Sequence, residues 1–176
     1  MLAYIFVLFA VVIRFIPHPW QFTPVAASLL FFGARGARKQ IWVPLVLMAV
    51  SDVLLNKFVY SYPLGWDAPV IWAWYGAMLW LGTGLRERQK PLPILGAALA
   101  ASISFFVISN FMVWATGTMY PMNWAGLMTC YEVAVPFFRH TFESDLVFTC
   151  AMFATPFLLH YLAGILSKEG DPTAAA

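Results

Sequence analysis

Apolar residues fill six windows of the chain, at about 1–16, 23–34, 40–57, 69–85, 93–115 and 145–167, separated by short stretches rich in Pro, Gly and charge. Set against the roughly 17–25 residues that a helix needs to cross a bilayer, the pattern predicts six transmembrane helices in a single domain over residues 1–176. The punctuation agrees. Pro17 and Pro19 cannot continue a helix, so the first ends near Ile16. Thr23 is placed to cap the second and Pro24 to open it. That second helix is short, about 20 Å at 1.5 Å per residue, less than the hydrocarbon thickness. Asp67 is the expected cap of the fourth helix, Pro93 opens the fifth, Gly117 follows it, and Ser144 or Asp145 caps the sixth. The segment 122–138 is nearly long enough to cross. Glu132 and Pro136 argue against that, because a carboxylate at the centre of a span costs about 2.5–3.5 kcal/mol. It is expected to lie as an amphipathic segment on the outer face, part of a lid over 118–144.

Composition turns this pattern into a class. Hydrophobic residues make up 62% of the chain, charged residues 10%, and the mean hydropathy is +0.77, as in an integral membrane protein. Ten basic residues against eight acidic ones form no basic patch for nucleic acid. The N-terminus lacks a basic n-region and a small-residue cleavage site, so the first window reads as a retained span. Cys130 and Cys150 lack metal-ligand spacing and read as buried thiols.

Orientation follows from the basic residues. Arg35, Arg38 and Lys39 follow the second helix, Arg86, Arg88 and Lys90 the fourth, and Lys168 the sixth, whereas the opposite face keeps only Lys57 and Arg139. The side that retains Lys and Arg is cytoplasmic, so both termini are expected inside the cytoplasmic membrane of a bacterium.

Polar residues within the spans gather toward the outer ends. Arg14, Asp52, Asn56, Asn110 and Asp145 are the candidates for a binding site, with His18 at the turn between the first two helices. Groups so costly in lipid face a bundle interior or a wet cavity and pair with each other. Arg14 with Asp52 is the first pair to expect. Trp66 and Trp114 are the expected cavity walls; the other Trp residues, Trp20, Trp72 and Trp74 among them, read as an interfacial belt. Three helix N-termini aimed at this cluster favour a ligand with a carboxylate or another partly anionic group. On the fifth helix, Gly96, Ala100 and Ser104, with Ala97 and Ala101 beside them, suit close packing in the bundle. His160 reads as a hydrogen-bonded core residue.

No catalytic constellation, Gly-rich phosphate loop or pair of haem-ligating His stands out, so neither an enzyme nor a cofactor is expected. Nor does the chain carry a nucleotide-binding domain.

Two stretches resemble a known family. Phe22-Thr-Pro-Val-Ala-Ala-Ser-Leu-Leu-Phe-Phe-Gly-Ala-Arg35 is similar to the early helix that runs into a Gly and a basic inner loop in the S components, the substrate-binding subunits, of energy-coupling-factor vitamin transporters. Val135-Pro-Phe-Phe-Arg-His-Thr-Phe-Glu-Ser-Asp145 is similar to the Pro-Phe run that leads to an Asp at the head of the last helix in their biotin-type members. Those members place a ligand-binding Lys three residues after that Asp, where this chain has Phe148. Their first helix meets the coupling subunit through an Ala-x-x-x-Ala surface, where this chain has Ala3 and Ala10. The resemblance implies uptake of a small solute, vitamin-like or another micronutrient, through an outward-facing pocket, with a transmembrane coupling subunit and ATPases as partners. A second reading makes the chain a non-transporting accessory subunit of a larger membrane complex, its polar cluster a structural network.

Overall fold

A computed structural model describes residues 1–17, 22–61 and 65–169. Six α-helices stand among them: α1 (Leu2–Ile13), α2 (Val25–Arg35), α3 (Trp42–Leu55), α4 (Asp67–Thr83), α5 (Pro91–Thr116) and α6 (Trp124–Glu169), and no strand occurs among the described residues. Three apolar helical stretches are long enough to cross a membrane: Arg38–Tyr60, Pro91–Thr116 and Trp124–Ser167. The first joins a 3₁₀ turn (Arg38–Gln40), α3 and a π-helical turn (Asn56–Tyr60).

α1 and α2 are shorter than that. At 1.5 Å per residue they reach about 18 Å and 17 Å, against about 30 Å of hydrocarbon. α1 stops at Ile13, earlier than Ile16, because Arg14 already caps it and Phe15 and Ile16 turn back on Val12 and Ile13. Neither predicted side-chain cap forms at α2 or α4: Pro24 and Trp66 occupy the N-cap positions, and Asp67 is the first residue of its helix. Pro91, two residues before the expected Pro93, opens α5, and Gly117 follows it as expected.

α2 is the axis of the bundle. Every residue from Val25 to Ala34 is buried, with α1, α4, α5 and α6 packed around it. Phe31 sits edge-on between Phe6 of α1 (4.9 Å) and Phe153 of α6 (5.2 Å). Against α4 the two backbones touch through Gly33 and Gly82. A Cβ on Gly33 would strike the Leu79 carbonyl and lie 2.8 Å from Gly82 Cα. With no hydrophobic drive between helices in lipid, such close approach of small residues is what holds them. On α5 the Ala97 and Ala101 stripe is buried as expected, but Gly96 and Ala100 face outward. α1 likewise turns Ala3, Val7 and Ala10 inward and leaves Ile5, Leu8 and Val12 exposed.

The largest departure from the sequence reading is α6. The expected outer segment does not exist as a separate element: residues 124–169 form one helix of 46 residues, about 69 Å long, running through Pro136 and Pro156. Ser144 and Asp145 therefore lie in its interior and cap nothing. A proline removes one backbone bond and bends a helix, and it ends the helix only if nothing holds both sides. Here α5 holds them: the Tyr131 hydroxyl donates to the Val107 carbonyl (2.7 Å) before the proline, and Phe138 packs on Phe106 (4.8 Å) after it. The segment's outward side mixes charge with apolar residues, Val133 and Val135 standing exposed beside Glu132. Glu132 and Arg139 are exposed and Glu143 half-buried along one stripe, with Arg139 donating to Glu143 at 2.8 Å. From Phe157 to Ser167 every residue is exposed, His160 among them, so that histidine is not in the core. Cys130 is buried but Cys150 is exposed.

Candidate binding cavity

Because α1 and α2 are short, Arg14 at the end of one and Thr23 before the other meet the longer helices. The Ser144 hydroxyl of α6 donates to the Thr23 carbonyl at 2.8 Å, and Asp145 lies beside Ser102, eleven residues into α5. Arg14, at the end of α1, makes an ion pair with Asp52 and donates a second hydrogen bond to the Ser51 hydroxyl. From α4, the Trp72 indole N–H donates to the same carboxylate at 2.9 Å and the Tyr75 hydroxyl at 3.3 Å. Positions 72 and 75 share a helix face, so α4 offers both donors to Asp52 together. The pair named from sequence is thus present and closed on itself.

Next to this network lies a cavity of about 330 Å³. Its walls come from five elements around the start of α2: Arg14, Tyr60, Trp74, Tyr75, Phe105 and Asp145. Trp74 is fixed by an N–H donated to the Ser104 hydroxyl (2.9 Å) and by contact with Phe105 (5.0 Å between centroids). Tyr60 comes from the π-helical turn, a form that recurs at functional sites, which ends on Ser61 in the left-handed region (φ 54°). Asp145 is only 4% exposed, and the Ser102 hydroxyl donates to it at 2.7 Å. Thr23 and Ala26 place the uncapped first turn of α2 against the same space. A second cavity, of about 610 Å³, lies among Asn56, Asp67, Ser109 and Thr116, and Phe105 lines both.

The remaining sequence candidates fall elsewhere. Asn56 belongs to the second cavity. Trp66 is 82% exposed and walls neither. The Asn110 amide donates to the Phe106 carbonyl of its own helix, and the Trp114 indole to the Pro121 carbonyl at 3.0 Å, so both serve local structure. His18 and Trp20 lie outside the described residues. Phe148, where the biotin-type members have Lys, packs on Phe22 and Phe9. The N-terminus of α6 is far from Asp145 in sequence, and α4 begins at the second cavity. Of the three expected helix ends, only that of α2 borders the main cavity.

Sequence reasoning did not find Trp72, Trp74, Tyr75 or Ser102. The usable signal was Asp52 itself: an acid within a span needs several donors, and Trp72 with Tyr75, three apart on one helix, is a pair able to supply two.

One family, described as a family of unknown function (DUF6580), matches residues 1–165. No curated protein and no solved structure matches the chain.

Proposed function

The chain belongs to the DUF6580 family, and from its own residues we propose that it binds a small solute in the cavity beside Arg14 and Asp145 and serves in uptake of that solute across the cytoplasmic membrane. The observation that carries this reading is the cavity itself: about 330 Å³, within the roughly 300–1,000 Å³ of small-molecule sites, with Arg14, Thr23, Thr141 and Asp145 set among aromatic and aliphatic walls. A purely structural network would have closed on itself, as Arg14 and Asp52 do, whereas Asp145 faces open space. The order of helices and the sequence likeness to S components support the same use, with coupling to a motor supplied by other subunits.

In this reading the Lys- and Arg-rich ends are cytoplasmic. α1 and α2, each too short to cross, are packed against each other and enter from that side, with Arg14 and Thr23 bordering the cavity. The second cavity is then an outer vestibule, and Phe105, shared by both, is the door between them. A reporter fused after Ala176 and one inserted at Gln89 should both read cytoplasmic. Periplasmic readings at both would overturn the assigned orientation, and a periplasmic reading at Ala176 alone would mean that the chain crosses once more after Gln89, with the 122–138 segment spanning.

The binding claim is tested by native mass spectrometry of gently purified protein. A co-purified small molecule that is lost in Ala26→Met, which fills the cavity floor, supports it; a molecule retained in that variant lies elsewhere. Trp114→Ala and Asn110→Leu should leave binding unchanged, since neither residue reaches the cavity. One observation favours the accessory-subunit reading instead: Phe157, Leu158, Tyr161, Leu162 and Leu166 all stand exposed on the last part of α6. In that case the purified chain carries no small molecule.

A further inference from the structure

Two carboxylates lie deep among these helices, and they are treated differently. Asp52 receives Arg14 together with the Trp72 and Tyr75 donors. Asp145 is the more deeply buried and has one neutral hydroxyl, Ser102, as its hydrogen-bond partner. That hydroxyl also lies 3.1 Å from the Ala98 carbonyl, which competes for its single proton. Among the described residues the ion pairs are Arg14–Asp52 and Arg139–Glu143, and none of those residues pairs a cation with Asp145. Arg14 borders the same cavity, but its charge is already matched. A lone acid in such a place is held only if it meets a positive charge or a proton.

From this geometry we infer that the solute carries a single positive charge, on a protonated amine or a quaternary ammonium, and that this group seats against Asp145 between the aromatic walls. The inference rests on the cavity being the solute site. The walls suit the charge: Trp74, Tyr75, Tyr60 and Phe105 surround the space, and aromatic faces attract a cation most strongly when water is excluded. A divalent metal is a poor fit. Ca²⁺ and Mg²⁺ require about six oxygen ligands, and among the described residues no group of three or more His, Cys, Asp or Glu comes together. An anion fits worse, because it would face the uncompensated carboxylate directly. The charge preference suggested by three converging helix N-termini is thereby reversed, since only α2 ends at the cavity.

Three probes of one shape and different charge decide the matter: phenethylammonium, 2-phenylethanol and phenylacetate, each titrated into the full-length protein in detergent and followed by thermal shift and Trp fluorescence. Phenethylammonium should bind about tenfold or more tightly than the alcohol, and phenylacetate weakest. In Asp145→Asn the advantage over the alcohol should vanish. The inference is overturned if the alcohol or the acid binds the unaltered protein as tightly as the amine, which would mean that Asp145 sits protonated, or if the preference survives in Asp145→Asn. Should that variant fail to fold, the series on the unaltered protein decides alone. Ala26→Met separates the two claims. If the alcohol or the acid binds best and Ala26→Met abolishes it, the cavity is a solute site and the charge assignment is wrong; if none of the three binds, both fall.

Discussion

Asp52→Asn and Arg14→Gln should each destabilise the protein by about 3 kcal/mol or more, and the double variant should lose less than the two losses added together. Each side chain is about seven-eighths buried, at 13% and 14% exposed. Removing Asp52 strands the guanidinium among Met48, Ser51 and the aromatic donors of α4; removing Arg14 leaves a carboxylate held by Trp72 and Tyr75 alone. Once one charge has gone, the second substitution removes a penalty. A thermal-unfolding cycle in detergent measures the coupling, and strictly additive losses would show that the pair contributes nothing as a pair.

A larger effect is expected where α2 meets α4. Gly33→Val and Gly82→Val should each leave little folded protein, because the added carbons land on backbone and no side chain can yield. At Gly82 even a single Cβ meets the Leu30 carbonyl and lies 3.0 Å from Gly33 Cα. Overpacking in a core costs about 1–3 kcal/mol where side chains can rearrange. Here the whole of α2 must shift, and with it the contacts to α1 and α6. Gly96→Val on α5, whose added Cβ would meet nothing within 4 Å, is the control that should fold normally. Monodispersity in size-exclusion chromatography reads the difference, and well-behaved Gly33→Val protein would contradict the close helix contact.

The six helices were legible because apolar windows and Pro or Gly punctuation are local signals, and Arg14 with Asp52 was legible because opposite charges in lipid have few other options. What failed was depth. The sequence reading placed the ends of all helices in one outer plane, which put Asn110 and Trp114 level with Arg14. α1 and α2 stop short, so Arg14 shares its cavity with Asp145, which Ser102 of α5 bonds, and Asn110 lies a further eight residues, about 12 Å, along that helix. The same error set Trp66 and Trp114 as walls in place of Trp74. The α6 segment failed for another reason: Pro136 and Glu132 do oppose an isolated span, but α5 supplies the bracing that a local rule cannot see. The π-helical turn that delivers Tyr60 has no signature in the sequence.

The complete enclosure of α2 also orders events during synthesis. Its partners on α4 are made some forty to fifty residues after it, and Phe153, which closes over Phe31, emerges more than a hundred residues later. Until then the faces that α4 and α6 will cover have only lipid or the insertion machinery against them. Helices that insert first and associate afterwards can tolerate such a delay. The bundle therefore has no finished core before its last helix is inserted, and a nascent chain stopped anywhere ahead of Phe153 presents quality-control proteases with an open groove where the axis of the molecule should be.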